Sequence, residues 1–113
     1  MDFTIRDARP SDGEFIARNV LAAMGYDVFP GADSDQRIEL GAVSGGVEEA
    51  VRAFGAICAR PDTLYSFART RIACVDGKAV GSLTAYSGDD YPAVKKLTWS
   101  LLDSCLLYTS DAA

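Results

Sequence analysis

The chain begins with an alternating apolar and polar pattern and continues with helical spacing. Residues 3–6 (FTIR) alternate as a half-buried strand does. Apolar residues then recur at steps of three and four, which predicts a helix over residues 12–24 that ends at Gly25. Ser11 and Glu14 have the spacing of a capping box at the start of this helix.

The next segment, residues 26–46, shows no sustained period. It contains Pro30 and several glycines, which indicates a loop with a short turn at residues 37–40. A second apolar stripe follows between residues 47 and 58 and predicts a helix that has Arg60 near its end and is closed by Pro61. The members of this stripe are Val47, Ala50, Val51, Phe54, Ile57 and Cys58.

Two strand-like runs, residues 70–75 and 78–86, flank Asp76 and Gly77. Asp-Gly between such runs indicates a β-hairpin, because both central residues of a type I′ turn need positive φ. A third helix is predicted from Pro92 onward. The order strand, helix, loop, helix, hairpin, helix predicts an α+β fold in which helices pack on a thin three-stranded sheet.

The amino-acid composition excludes several classes of catalytic and binding site. The chain has 113 residues, the size of one small domain, and contains no histidine. Ser-His-Asp and Cys-His triads and histidine metal sites are therefore excluded. The net charge of −5 argues against a nucleic-acid partner.

The cysteine pattern and the hydropathy of the chain predict its cellular location. Cys58, Cys74 and Cys105 form no CxxC pair, which favours buried, reduced thiols in a cytoplasmic protein. No apolar run reaches the roughly 18 residues that a membrane span needs. We therefore expect a cytoplasmic protein with no membrane partner.

Two segments partly match known ligand-binding motifs, one for phosphate and one for calcium. Residues 41–46 have the glycine spacing of a phosphate loop, but Val47 stands where the motif needs lysine. Asp33 and Asp35 could open a calcium loop, yet Arg37 stands at its fifth position. We expect a loop before a helix and a solvated acidic segment, with no metal site.

Taken together, the segments resemble the N-terminal half of a GCN5-related N-acetyltransferase (GNAT). Residues 3–12 (FTIRDARPSD) resemble the first strand and first helix cap of that family, and residues 72–83 (IACVDGKAVGSL) resemble its second and third strands. The resemblance covers about residues 3–90. It implies an incomplete GNAT-like fold with a first strand, two helices and a β-hairpin, to which the chain adds a third helix.

The resemblance implies transfer of an acetyl group from acetyl-CoA to an amine, on a small molecule or a peptide. In that family a Q/R-x-x-G-x-G/A turn at a helix N-terminus binds the cofactor's pyrophosphate. No such turn follows Tyr91, and no glycine follows Gly88, so no cofactor-binding or catalytic residue can be assigned. Only a candidate acceptor pocket remains, with Tyr26 and Phe29 from the long loop and Tyr86 from the end of the hairpin.

The last residues, 105–113 (CLLYTSDAA), resemble the translation of a transposase sequencing adapter. We therefore expect residues 1–104 to be the N-terminal portion of a GNAT-like acetyltransferase domain, and residues 105–113 an artefactual tail. The predicted function is that of a truncated acyl-CoA-dependent N-acetyltransferase that is inactive alone. A small non-catalytic α+β binding or interaction module is the alternative.

Overall fold

A computed structural model describes residues 1–29 and 35–111, the stretch from 104 to 111 as backbone only. The chain has an α+β fold, as the sequence pattern predicts. Its elements, in chain order, are β1 (Phe3–Asp7), a 3₁₀ turn (Pro10–Asp12), α1 (Gly13–Ala23), β2 (Arg37–Leu40), β3 (Val43–Gly46), α2 (Val47–Cys58), a second 3₁₀ turn (Phe67–Arg69), β4 (Thr70–Val75), β5 (Lys78–Thr84) and α3 (Tyr91–Asp111).

The main sheet contains three antiparallel strands in the order β1-β4-β5. In the register, Ile5 lies opposite Ala73 on β4, and Ile72 lies opposite Ser82 on β5. Ile72 and Cys74 are buried on the face that packs against the helices. The sheet is therefore covered by the helices on one face.

The predicted β4–β5 hairpin is confirmed, including its turn. Asp76 has φ 51° and Gly77 has φ 80°, the two positive values that a type I′ turn requires. The backbone N–H of Asp76 donates to the carbonyl of Asp2 at 2.8 Å, and the N–H of Asp2 donates to Asp76 Oδ1 at 2.8 Å. This pair of bonds attaches the start of the chain to the hairpin.

Part of the segment expected to be a loop is a second hairpin. Strands β2 and β3 pair antiparallel, with Ile38 opposite Gly45 and Leu40 opposite Val43. Ile38 and Val43 are buried in the core, and Gly41 in the turn has φ 63°. The loop prediction was wrong here because each strand has only four residues, too few to show a period among glycines.

The start of α1 differs from the predicted capping box. Pro10 begins a 3₁₀ turn, so α1 starts at Gly13 and its cap is Asp12 rather than Ser11. The Asp12 carboxylate accepts the backbone N–H of Arg9 at 2.7 Å and the Arg6 guanidinium at 2.8 and 2.9 Å. Asp12 therefore connects α1 to β1.

Helices α1 and α2 pack closely over the sheet. Ile16 and Leu21 of α1 and Phe54 and Ile57 of α2 are almost fully buried in the core. The expected burial of the thiols is confirmed for Cys58 and Cys74, which are both free and buried.

The C-terminal helix passes through the predicted tail boundary. Helix α3 spans Tyr91–Asp111, and its Leu102 and Val94 are buried. The side chains of 104–111 and all of residues 112 and 113 lie outside the described residues. The division of the chain at residue 104 therefore stays a prediction.

Candidate functional site

A groove lies between α1 and the outer edge of β5, with a cavity volume of about 300 Å³. We call it the α1–β5 groove. Its walls come from one face of α1, from a tyrosine after α2 and from the last residues of β5. The lining residues are Asn19, Val20, Ala23, Met24, Tyr65, Ser82 and Thr84.

Three polar side chains of the groove, Asn19, Ser82 and Thr84, have hydrogen-bond partners within the protein. Asn19 Nδ2 donates to Ser82 Oγ at 2.8 Å, which joins the middle of α1 to β5. The Thr70 hydroxyl donates to the carbonyl of Ser66 at 2.8 Å, so the Thr84 hydroxyl must be the donor in its own 2.8 Å contact with Thr70. The groove thus presents few unpaired polar groups to a ligand.

Tyr65 forms the floor of the groove. Its ring packs against Phe54 with centroids 5.6 Å apart, so the core fixes its position. Burial raises the pKa of Tyr65, and the nearby Tyr86 and Tyr91 act in the same direction. At neutral pH the phenol therefore stays protonated and can donate a hydrogen bond.

Tyr86, one of the three predicted pocket residues, is not among the residues that line this groove. The Tyr86 ring stacks on Tyr91, with centroids 5.4 Å apart and an interplanar angle of 15°. Lys95 Nζ lies 5.5 Å from the centroid of the Tyr91 ring, within cation–π distance. Tyr86 keeps 42% of its surface exposed, so its ring is accessible to a ligand from solvent.

The other two predicted pocket residues lie elsewhere. The Tyr26 hydroxyl donates to the carbonyl of Glu39 at 3.4 Å, and the Phe29 side chain is 42% exposed. Arg18 holds the start of their loop, because its guanidinium donates to the carbonyl of Val28 at 2.6 Å. Neither residue lines the α1–β5 groove, and the acceptor-pocket assignment stays a prediction.

Sequence reasoning missed Asn19 and Ser82 as groove residues. Asn19 interrupts the apolar positions of α1, and Ser82 lies in a strand of mostly apolar residues. A polar residue at such a position is the signal that could have pointed to both. Their pairing depends on how α1 crosses the sheet edge, which no local pattern reports.

The helix N-termini in the described part of the chain do not fit a pyrophosphate. Such a group needs free backbone N–H groups and the positive end of a helix dipole. Here α1 begins beside Asp12 and Glu14, α2 has Glu48 and Glu49 in its first turn, and Asp90 directly precedes Tyr91, the first residue of α3. These carboxylates would repel the phosphates of acetyl-CoA, so no donor site is built from these residues.

Neither a metal-binding cluster nor a membrane-spanning helix is found in the described residues. Residues 1–29 and 35–103 contain no group of three or more His, Cys, Asp or Glu side chains that could hold a metal ion. Among the helices of the described ranges, none combines the length and apolar character that crossing a bilayer requires.

Comparison with known proteins adds one structural likeness. No protein-family model matches the sequence, and no curated protein matches it. A solved acetyltransferase structure is similar to the chain, with a TM-score of 0.58 at 20% sequence identity. The match covers 84% of this chain and 45% of that one. The chain therefore has an acetyltransferase-like α+β fold and spans less than half the length of that protein.

Proposed function

We propose that this chain is part of an acyl-CoA-dependent N-acetyltransferase of the GNAT type, which transfers an acetyl group from acetyl-CoA to an amine. The observation that carries the proposal is the fold match with the solved acetyltransferase over 84% of the chain. The GNAT-like segments at residues 3–12 and 72–83 support it, because the first forms β1 and the 3₁₀ turn before α1, and the second lies in the β4–β5 hairpin. We place the protein in the cytoplasm.

The contribution of this chain is the acceptor side of the enzyme. Tyr86 after β5 and Tyr26 and Phe29 on the loop after α1 supply aromatic surface for an amine substrate. The net charge of −5 favours a cationic amine, on a small molecule or a peptide, over an anionic substrate.

We expect the chain to lack acetyltransferase activity by itself, because the carboxylates at its helix N-termini do not fit the cofactor. The first test is calorimetric titration of the chain with acetyl-CoA, with an equal titration of free pantetheine as the matched control. No saturable heat is expected from either ligand. Saturable binding of acetyl-CoA that pantetheine does not reproduce would contradict this part of the proposal.

A non-catalytic α+β binding or interaction module is the second candidate. It is favoured by the same acidic helix N-termini, since a binding module needs no phosphate site. The DNA downstream of codon 104 separates the two candidates. A continuing frame that encodes a Q/R-x-x-G-x-G/A turn supports the transferase, and a natural stop codon supports the module.

A further inference from the structure

Two tyrosines on either side of the turn before α3 form a stacked pair. Tyr86 lies just after β5 and Tyr91 begins α3, and their ring centroids are 5.4 Å apart at an interplanar angle of 15°. We call them the tyrosine pair. The turn between them is closed by a hydrogen bond from the N–H of Asp90 to the carbonyl of Ser87 at 3.1 Å. The pair therefore forms a positioned aromatic surface that solvent reaches at Tyr86.

A cation already lies on this surface. Lys95 is one helical turn after Tyr91, and its ammonium nitrogen lies 5.5 Å from the centroid of the Tyr91 ring. Tyr86 stacks on one face of that ring, so the ammonium lies over the other face, within the cation–π range of about 6 Å. The negative face of an aromatic ring attracts a cation there. The structure itself thus shows that the tyrosine pair accepts an alkylammonium group.

The turn adds negative charge next to the rings. Asp89 and Asp90 are exposed, and the ion pairs of the described residues involve neither carboxylate. Lys95 takes part in none of these ion pairs either, and its contact is with the ring. The two carboxylates favour cations over anions at this surface, and the ring face provides the place where a cation binds.

The contact of Lys95 with the ring is weak enough to be exchanged. A cation–π contact at an exposed site changes an equilibrium by only about two- to fivefold. Lys95 therefore leaves the ring for part of the time, and an incoming ammonium competes with it for the same face. A site that is open for only a fraction of the time binds its ligand more weakly by that fraction.

We propose that the tyrosine pair is a binding site for an alkylammonium group, carried by a free amine or by a lysine side chain of a peptide, and that Lys95 is its internal competitor. The bound group is a protonated amine, which has no lone pair with which to attack a thioester. The site therefore serves binding alone, and the inference does not depend on the proposed function.

The test is an NMR titration of the 113-residue chain, in which the ring protons of Tyr86 and Tyr91 report binding. The first probe is n-butylammonium chloride, which reproduces the side chain of Lys95. Butan-1-ol is the neutral control, and sodium chloride controls for ionic strength. A short peptide with blocked ends and a single lysine is the second probe.

We expect butylammonium to shift the ring protons saturably, and butan-1-ol and sodium chloride not to do so. Lys95→Gln should bind about threefold more tightly, because the internal competitor is gone. Lys96→Gln is the matched control, since it removes the same charge from the next residue and should leave the affinity nearly unchanged. Tyr91→Leu should lose the binding, whereas Tyr91→Phe keeps the ring face and should retain it.

If Tyr91→Leu does not fold, Tyr86→Leu serves as the second variant, because the Tyr86 side chain is exposed and its loss removes the ring that supports Tyr91. Equal shifts with butylammonium and butan-1-ol would overturn the proposal, since the surface would then bind apolar groups without regard to charge. Equal gains in affinity for Lys95→Gln and Lys96→Gln would overturn the competition by Lys95. Absence of binding by both probes would overturn the site, and otherwise the tighter probe identifies the source of the ammonium.

Discussion

The α1–α2 crossing and the outer side of β5 both present apolar side chains, but they differ in what covers them. At the crossing, Phe54 and Ile16 are fully buried and two glycines bring the helices close together. On the outer side of β5, Leu83 and Val80 remain 69% and 54% exposed. In the described part of the chain, helices α1 and α2 cover each other's apolar side chains, whereas the apolar side chains of β5 remain exposed. The predictions below test that difference.

The largest effect is expected from Phe54→Ala. Phe54 is fully buried at the centre of the core, so its truncation should lower the free energy of unfolding by about 3–5 kcal/mol. Urea unfolding monitored by circular dichroism measures the loss. Leu83→Ala is the control and should change stability by less than about 0.5 kcal/mol, because an exposed side chain loses little burial. Similar losses for both variants would show that β5 is covered in solution.

Gly55→Ala tests the close approach of the two helices. A Cβ at this position would lie 2.7 Å from Glu14 Cγ and 3.0 Å from Glu14 Cα. We expect a loss of about 1–3 kcal/mol from overpacking, although alanine favours the helix itself. Gly81→Ala on β5 is the matched control, since nothing lies within 4 Å of its added Cβ. A stabilised Gly55→Ala variant would mean that the helices are more loosely packed than described.

Asp12→Asn tests how the helical layer is joined to the sheet. Hydrogen bonding to the Arg6 guanidinium lowers the pKa of Asp12 from its ordinary value of 3.8, and the Arg9 N–H acts in the same direction. Because the folded pKa lies below the unfolded one, this stabilisation is present above pH 3.8 and is lost as the pH falls through the folded pKa. The melting temperatures of wild type and variant should therefore converge below that range. A constant difference at all pH values would rule out the ionised carboxylate as the cause.

The smallest effect on stability is expected from Leu83→Lys, which should nevertheless change solubility. The uncovered sheet face and the unprotected edge of β5 favour aggregation of the wild type. A lysine in this patch should reduce aggregation while the free energy of unfolding stays within about 0.5 kcal/mol. Light scattering during a thermal melt measures aggregation, and urea unfolding measures the free energy of unfolding. A soluble wild-type monomer that melts sharply and reversibly would contradict the expected aggregation.

Local signals predicted much of the fold. The Asp76-Gly77 turn was predictable because its backbone requires positive φ, and Asp-Gly supplies it. The stripe that includes Phe54 predicted α2, because burial on one face repeats every turn, although the helix ends at Cys58 rather than near Arg60. The β2–β3 hairpin was not predictable, since Ile38 and Val43 become core residues only when α2 packs over them.

The candidate site was less predictable than the fold. Tyr86 could be placed near the end of the hairpin, and in the structure its ring stacks on Tyr91 at the start of α3. The Asn19–Ser82 pair could not be predicted, because its residues are 63 positions apart and meet only through the tertiary crossing. Sequence reasoning therefore missed the polar contact that shapes the groove.

The bonds between Asp2 and Asp76 also bear on the order of folding. They join residues 74 positions apart, whereas the β4–β5 hairpin closes over two residues. A hairpin forms within about 1–10 μs, but a long chain closure carries a larger entropic cost and comes later. We therefore expect β1 to join the sheet after the hairpin and the helices have formed. During synthesis, β1 leaves the ribosome first and has to wait for β4, the strand on which it docks.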